Sequence, residues 1–323
     1  MFTKIEPFFI HVFTPLHAGS GDDLGSVDLP IQREKHTGFP KIESSSLKGA
    51  FRHAFDDIKE PEIGISDTLK RITKKSINLV FGLDSSVNPI DQAGILGFTD
   101  ARLLLFPVKS MKGIFAWITC PMVLERFNRD LLMDKSISQK NKKWRTFNEI
   151  NDFKELKGTI TNQAEICIDT ENKKVVILEE YTFTVNESEP TTQIADFLIK
   201  QLNISGLKTK FIILSDDDFK DFVTLSTEVI TRTKIDPETG TVDKKTGALF
   251  TEEYLPAESI LYSFVMASPL HNNGKINEEN IVEFFKNGFQ QNQCNYCFQI
   301  GGNATIGKGF TEIKFFNTLE GQK

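Results

Sequence analysis

An irregular succession of strand-like and helix-like segments is the feature that most constrains the fold of this chain. Residues 8–14 alternate in the manner of a strand, whereas residues 44–58 carry apolar side chains at helical spacing. Strand-like runs return at 94–105 and 260–267, with helical segments between them but no repeating βαβ cadence. This order predicts an α+β fold with insertions, because a parallel α/β sheet needs strands and helices in regular alternation.

Composition indicates where in the cell the protein is expected and which kinds of partner it can bind. The 323 residues carry a net charge of −6, from 38 Lys and Arg against 44 Asp and Glu. That balance argues against a protein whose whole surface binds nucleic acid, but it permits a local basic groove. No apolar run approaches the ~20 residues of a membrane helix, and the N-terminus lacks the pattern of a signal peptide. We therefore predict a cytoplasmic protein with reduced cysteines and no membrane partner.

A long polar loop, residues 16–43, separates the first strand from the first helix. It contains His17, Asp22, Asp28 and Arg33, and loops of this length without periodicity are usually functional or disordered. Phosphodiester cleavage needs a base or a metal ligand, a proton donor and positive charge on the phosphate, and the loop holds side chains of each kind. A solvated polar loop is the alternative interpretation.

The glycine-rich run at 301–309 contains most of a phosphate-loop signature, but two features argue against an NTPase. Gly309 stands where a Mg²⁺-binding hydroxyl is required, and residues 310–316 alternate like a strand where the motif needs a helix. We predict a glycine-rich turn between two strands. Its N–H groups and Lys308 either line a phosphate or form no more than the turn.

A second anion site is predicted at the start of the first helix. The serines at 44–46 are expected to cap this helix, and Lys48 and Arg52 lie one turn apart on it. The alternative is a capped helix with a solvated basic face.

Three further segments have structural interpretations. Residues 122–156 have the spacing of helices, interrupted by a polar stretch. Asp216–Asp218, directly after Ser215, fit the first turn of a helix better than a metal site, because carboxylates favour the positive end of the helix dipole. Residues 231–256 are polar and rich in turn formers, which predicts a projecting hairpin.

Four segments resemble a single family. They are LHAGSGDDLGSVDLPIQREKHTGFPKIESSSLKGAFR (16–52), TDARLLLFPVKSMKGIFAWITCP (99–121), the stretch from RTKIDPETGTV to GALFTEEYLP (232–256) and QIGGNATIGKGF (299–310). In these segments the chain is similar to the backbone subunits of the type III-B CRISPR effector, the Cmr complex, which are its fourth protein and members of the RAMP superfamily. The resemblance is weaker over 126–215.

The resemblance implies one RAMP domain over 1–323, built on a modified ferredoxin-like (RRM-like) palm with inserted finger helices and a protruding β-hairpin thumb. The implied palm segments are 1–15, 44–58, 94–121, 210–230 and 258–316. The implied insertions are the catalytic loop 16–43, the fingers 60–93 and 122–209, and the thumb 231–256.

The function implied by the resemblance is RNA-guided cleavage in antiviral defence. Copies of the subunit stack as a helical filament along one crRNA, beside the other Cmr subunits, and each thumb kinks the guide–target duplex. Complementary target RNA is then cut at regular intervals by a metal-dependent endoribonuclease that uses Mg²⁺ or Mn²⁺. A non-cleaving crRNA-binding scaffold of the same superfamily is one alternative, and an enzyme acting on a small phosphorylated metabolite is another.

Roles for individual residues are also implied by the resemblance. Asp28 corresponds to the family's catalytic aspartate, His17 to a histidine near the scissile site, and Glu252, or its neighbour Glu253, to a further catalytic candidate. An aspartate is a weak general base near neutral pH, so we expect Asp28 to hold the divalent cation and His17 to transfer protons. RNA contacts are implied for Ser45, Ser46, Lys48, Arg52, Arg232, Lys234, Gly302, Lys308 and Gly309.

Overall fold

The structure is a computed structural model. It describes residues 2–22, 25–58, 69, 71–82, 93–133, 152–233, 238–242, 249–269, 276–291 and 297–316. The strands are β1 Lys4–Val12, β2 Lys41–Ile42, β3 Leu96–Phe98, β4 Ala101–Ser110, β5 Ile114–Thr119, β6 Thr159–Ile160, β7 Ile168–Asp169, β8 Lys174–Leu178, β9 Tyr181–Glu187, β10 Phe211–Ile213, β11 Glu228–Arg232, β12 Phe250–Tyr254, β13 Ile260–Ala267, β14 Cys297–Gln299 and β15 Phe310–Phe315. The α-helices are α1 Ser44–Asp56, α2 Lys74–Phe81, α3 Pro121–Leu131, α4 Glu189–Leu202, α5 Leu207–Lys210, α6 Asp216–Leu225 and α7 Glu278–Gln291.

The predicted α+β class is confirmed, and β1 is an interior strand near one end of the larger sheet. It pairs antiparallel with β13 on one side and with β15 on the other, and β13 pairs antiparallel with β4. Local strand order is therefore β15-β1-β13-β4, with β14 outside β15. Helix α1 follows β1 in the chain, and α7 lies between β13 and β14.

One face of these strands packs against α1 and α7 through phenylalanine rings. Phe51 of α1 lies 5.8 Å from Phe8 of β1 and 5.1 Å from Phe285 of α7, measured between ring centroids. All three side chains are fully buried. Burying one such side chain stabilises the fold by about 1.5–3 kcal/mol, which accounts for much of the use of 28 phenylalanines.

A second part of the sheet closes into a ring. Strands β4, β5, β10, β6, β9 and β8 follow one another, and Ser110 of β4 pairs with Leu178 of β8. Strands β6 to β9 belong to the segment 122–209, which the resemblance implies is a finger insertion. Helices α3 and α4 flank these strands, the strands join the main sheet through long-range pairing, and 134–151 lie outside the described residues.

The predicted hairpin at 231–256 forms a sheet of its own. Strands β11 and β12 pair antiparallel, with Arg232 opposite Phe250 and Glu228 opposite Tyr254. Part of the arm that joins them, residues 234–237 and 243–248, lies outside the described residues. We refer to strands β11 and β12 as the root of the hairpin.

The serines at 44–46 do not cap α1, contrary to the sequence prediction. Glu43 is the N-cap residue and makes no side-chain capping bond, while the N–H of Ser44 donates to Asp100 Oδ1 at 2.9 Å. The carboxylate of Asp100, which precedes β4, therefore satisfies one free donor of the helix start. In the described part of the chain, no helix has both the length and the apolar character needed to cross a membrane.

Candidate functional site

The first loop and the glycine-rich loop are bonded backbone to backbone. The N–H of Gly302 donates to the carbonyl of His17 at 3.0 Å, and that of Gly309 donates to the carbonyl of Pro15 at 3.0 Å. Gly301 has a φ of +82°, and a Cβ placed on it would lie 2.1 Å from His17 O. Only glycine therefore allows the two loops to approach this closely.

The first loop is also bonded to the hairpin strand β12 and the residue after it, at its start and near its middle. Leu16 and Leu255 exchange two backbone bonds of 2.9 and 2.8 Å. Leu29 donates to Thr251 O and accepts from the N–H of Glu253, each at 3.0 Å. Leu16 is thus fixed beside Leu255, directly after β12, and Leu29 is fixed on β12 itself, with the glycine-rich loop against the start of the first loop.

A buried carboxylate lies where these three segments meet. Glu252 is only 4% exposed. Its Oε2 accepts from Tyr254 Oη at 2.6 Å and from Arg232 Nε at 2.9 Å, and its Oε1 accepts from Asn303 Nδ2 at 2.5 Å. We refer to Glu252, His17, Tyr254, Arg232 and Asn303 as the Glu252 cluster.

His17 enters the cluster from the first loop with both ring nitrogens facing protein oxygens. Nδ1 donates to the carbonyl of Glu253 at 2.7 Å, because a carbonyl oxygen can only accept. Nε2 lies 3.5 Å from Glu252 Oε1. The histidine is therefore fixed in orientation by the two consecutive residues of β12.

Tyr254 connects the hairpin to the glycine-rich loop. Its hydroxyl accepts from Asn303 Nδ2 at 3.1 Å and from Arg232 Nη2, and the Lys308 ammonium lies 4.8 Å from the ring centroid. Burial, and then donation to the Glu252 carboxylate, raise the pKa of Tyr254 to about 12. The hydroxyl therefore remains a neutral donor to Glu252 over the physiological range.

Asp28 is exposed and is held at the root of the hairpin by a single residue. Its Oδ2 accepts from the N–H of Thr251 at 2.7 Å and from Thr251 Oγ1 at 2.8 Å, while its own N–H donates to Thr251 Oγ1 at 3.0 Å. The two bonds to Oδ2, first the one from the backbone, lower the pKa of Asp28 from its usual value. The site thus presents an ionised carboxylate to solvent in a fixed position.

The structure brings together only part of the predicted catalytic group. His17 and Glu252 lie in one cluster, whereas Asp28 contacts Thr251, the residue before Glu252 on β12. Successive residues of a strand point to opposite faces, so Thr251 and Glu252 face apart. Within the described residues, no hydrogen bond or ion pair links Asp28 to His17 or to Glu252.

Glu253, the other glutamate of the pair, is buried and held by hydrogen bonds within the protein. It is 5% exposed and faces the Thr251 side of β12. Its carboxylate accepts from Arg33 Nη2 at 2.5 Å, from Thr227 Oγ1 at 2.7 Å and from the N–H of Ile31 at 3.0 Å. These bonds fix the middle of the first loop to the hairpin root.

The predicted RNA-binding residues of α1 differ in how free they are to bind a phosphate. Arg52 donates to the carbonyl of Gly82 and to Asn78 Oδ1 at 2.6 Å, so its guanidinium joins α1 to α2. Lys48 makes no ion pair in the part of the chain that the structure describes. Partial burial, and then the nearby Arg52 charge, lower the pKa of Lys48. An approaching phosphate would relieve this repulsion.

The remaining RNA-binding candidates lie in different environments. Ser45 is exposed, and Ser46 Oγ accepts from Gln32 Nε2 at 3.2 Å. The N–H groups of Gly302 and Gly309 are used within the protein, as described above, and Arg232 is paired with Glu252. Lys308 lies against Tyr254, and Lys234 lies outside the described residues.

Three residues of the site were missed by sequence reasoning. Thr251 holds Asp28, and Tyr254 and Asn303 hold Glu252. Thr251 and Tyr254 flank the glutamate pair in FTEEY. Their position next to a catalytic candidate could have indicated that they belong to the site. Asn303 gave no signal, because its partner is about fifty residues away in the sequence.

A metal ion at this site would need most of its ligands from RNA and water. Among the residues that the structure describes, no three His, Cys, Asp or Glu side chains form a ready metal cage. Asp28 offers one carboxylate whose Oδ1 accepts no hydrogen bond from any residue that the structure describes. Mg²⁺ is commonly held by one or two carboxylates together with waters and substrate phosphates, so the residues present fit a cation of that kind.

The sequence and the fold match known proteins over almost their whole length. The RAMP superfamily model matches residues 9–312. The Cmr endoribonuclease Cmr4 of Pyrococcus furiosus is 35% identical over 311 residues, which cover 94% of this chain and 93% of that protein. The crystal structure of oligomeric Cmr4 from Pyrococcus furiosus superposes with a TM-score of 0.67 and 28% identity, over 97% of this chain and 98% of that one. A chain of a type III-B Cmr-beta complex bound to cognate target RNA has a TM-score of 0.69 at 24% identity, over 97% and 98% of the two chains, which is a likeness of fold.

Proposed function

The chain belongs to the RAMP superfamily, and on that premise we propose that it is the repeating backbone subunit of a type III-B CRISPR complex. It binds crRNA and cleaves complementary target RNA at regular intervals, in antiviral defence. Its 35% identity to a Cmr endoribonuclease over 94% of the chain supports both parts of this function. The partners we propose are crRNA, target RNA, further copies of the chain in a filament, and the other Cmr subunits.

The arrangement of the sheet supports a ferredoxin-like palm at the centre of this subunit. A ferredoxin-like fold has four antiparallel strands whose spatial order is 4-1-3-2, with one helix after the first strand and another before the last. The order β15-β1-β13-β4 follows that scheme, with α1 and α7 as the two helices. On this basis we assign β11 and β12 to the root of the thumb and 16–43 to the catalytic loop.

One observation carries the proposal of cleavage, namely the fixed and exposed carboxylate of Asp28 at the root of the hairpin. If the hairpin enters a guide–target duplex, Asp28 reaches the RNA link beside it in a position set by Thr251. Holding a reacting group in place in this way can contribute several kcal/mol to lowering the barrier. We therefore assign Asp28 as the residue that contacts the scissile phosphodiester.

His17 and Glu252 take a different part in this mechanism. Both are largely buried, and each is bonded to protein groups on both of its polar atoms. We propose that they position the first loop against the hairpin, and so set the location of Asp28. Cleavage itself proceeds by attack of the target's 2′-oxygen on the adjacent phosphorus. That step breaks the bond between phosphorus and the 5′-oxygen; water takes the proton of the 2′-hydroxyl and gives one to the leaving 5′-oxygen, so the products are a 2′,3′-cyclic phosphate and a 5′-hydroxyl.

A divalent cation, Mg²⁺ or Mn²⁺, is the proposed cofactor, and Asp28 is the residue that would hold it. When bound, the cation stabilises negative charge on the phosphate. Chelation with EDTA is expected to stop cleavage while target RNA stays bound, and added Mg²⁺ or Mn²⁺ is expected to restore it. Cutting that continues at an unchanged rate in EDTA would remove the cation from the proposal.

The test of cleavage is an isosteric change at Asp28 in the assembled complex. Asp28→Asn keeps an oxygen for Thr251 but removes the charge, so we expect guide and target binding to persist. Cleavage of labelled complementary RNA should fall by about a hundredfold or more. The matched control is Asp22→Asn, another exposed carboxylate of the same loop, which should cut like the wild type. Intact target RNA with the wild-type complex would instead indicate a non-cleaving scaffold.

A further inference from the structure

Asn303 is the residue of the glycine-rich loop that reaches the buried carboxylate. It has a left-handed backbone conformation, with φ +66° and ψ +26°, which directs the loop into the 3₁₀ turn Ala304–Ile306. Asparagine adopts this conformation more readily than most other residues with a side chain. Its amide nitrogen donates to two acceptors on β12, Glu252 Oε1 at 2.5 Å and Tyr254 Oη at 3.1 Å.

The two protons of the Asn303 amide are matched to these two acceptors. Within the described residues, the other potential donor near Glu252 Oε1 is His17 Nε2, which lies 3.5 Å away, at the limit of hydrogen-bond distance. Removing the amide would therefore leave that oxygen, in a carboxylate only 4% exposed, without a close donor. The carboxylate would be held mainly through Oε2, by Tyr254 and Arg232, and β12 would lose the Asn303 hydrogen bonds that join it to the glycine-rich loop.

The position of β12 matters because Asp28 is bonded to it. Thr251, which holds Asp28, is the neighbour of Glu252 on this strand. We propose that Asn303 is a positioning residue for RNA cleavage, which fixes Glu252 and Tyr254 so that the hairpin root holds Asp28 in register with the glycine-rich loop. This inference rests on the proposed function. It assigns a role in cleavage, rather than in RNA binding, to a side chain of the glycine-rich loop.

Asn303→Gly is the first variant of the test, because glycine keeps the left-handed backbone and removes only the amide. In the complex assembled with crRNA, we expect normal target binding and cleavage slowed by about ten- to a hundredfold. The matched control is Asn203→Gly, a second left-handed asparagine, which ends α4 and is exposed. It should cleave at the wild-type rate.

Asn303→Asp is the second variant, and it gives a readout that a purely structural role would not move. The new carboxylate meets Glu252 Oε1, and the charged groups around the pair are Arg232, His17 and, beside Tyr254, Lys308 and Glu228. Two adjacent carboxylates retain one proton between them at lower pH, and a shared proton restores the hydrogen bond. The cleavage rate of Asn303→Asp relative to wild type should therefore rise severalfold from pH 8 to pH 6. The relative rate of Asn303→Gly should stay flat.

Each outcome of these experiments either supports the positioning role of Asn303 or overturns it. Slowed cleavage with intact binding and the rising ratio for Asn303→Asp support the positioning role. Wild-type cleavage by Asn303→Gly, or flat ratios for both variants, overturns it and leaves the proposed function standing. Loss of crRNA binding in both variants also overturns it and assigns Asn303 to the guide-RNA contact. Absence of cleavage by the wild-type complex would instead be a failure of the proposed function itself.

Discussion

Replacing Gly301 with alanine tests whether the close approach of the two loops is what holds the site together. In Gly301→Ala the new methyl group would lie 2.1 Å from His17 O, so the loops must separate by more than 1 Å to reach ordinary contact. That movement breaks the 3.0 Å bond from the Gly302 N–H to His17 O. It also pulls His17 away from Glu252.

The magnitude is worked out by comparison with Gly307, which has a similar positive φ. Gly307 has a φ of +78°, but a Cβ there meets nothing within 4 Å. Gly307→Ala should therefore lower the free energy of unfolding only by the cost of a left-handed alanine, about 1–2 kcal/mol. Gly301→Ala adds the lost hydrogen bond, about 0.5–1.5 kcal/mol, and the steric contact, for a total of about 2–4 kcal/mol.

Urea unfolding of the subunit at one fixed protein concentration measures the difference directly. The two variants should share the slope of the wild type and differ in midpoint, with Gly301→Ala unfolding at the lower urea concentration. Cleavage in the assembled complex should fall in Gly301→Ala and be nearly unchanged in Gly307→Ala. Equal losses of stability in the two variants would refute the reasoning, because the backbone conformation alone would then explain both.

Two further predictions concern Thr251 and Tyr254, which flank the pair Glu252 and Glu253. The pKa of Asp28 is lowered in the folded protein, so the stability it contributes is complete above the ordinary carboxyl pKa and is lost as the pH falls through the lowered value. Thr251→Val removes the hydroxyl donor, so the pKa of Asp28 should rise toward its usual value in an NMR titration; an unchanged titration would contradict the assignment. Tyr254→Phe removes a donor to a buried carboxylate and should lower the free energy of unfolding by about 1.5–3 kcal/mol in urea titrations. A loss below 0.5 kcal/mol would mean that the carboxylate finds another donor.

Local patterns in the sequence predicted the elements that local chemistry decides. The first turn at Asp216–Asp218 is confirmed, with Ser215 Oγ accepting from the N–H of Asp218 at 3.1 Å. The glycine-rich turn is likewise confirmed, since it lies between strands β14 and β15. Its signal, Gly309 followed by strand-like alternation, spans fewer than ten residues. These features depend on capping and backbone freedom, which neighbouring residues determine.

Features that depend on distant pairing could not be predicted in the same way. Asp100 replaces the expected serine cap of α1 across more than fifty residues. Strand β6 has two residues, and it is a strand only because β9 and β10 lie beside it. No periodicity can appear in so short a segment, so the closed ring of strands had no signature in the sequence.

The Glu252 cluster shows what the sequence could not indicate about the candidate site. Family resemblance pointed to Asp28, His17 and Glu252 together, but not to the separation of Asp28 from the other two by the two faces of β12. Breaking a buried charge pair by removing one partner typically costs about 3–5 kcal/mol, so the pairing of Glu252 with Arg232 strongly favours one arrangement of the hairpin root. That arrangement also uses Arg232, which leaves less positive charge for RNA than the count of basic residues suggests. Asp28 is exposed on a polar loop, but its carboxylate is held by Thr251 of β12. The buried Glu252 and its partners on the opposite face of β12 fix that strand, and so they fix the position of Asp28.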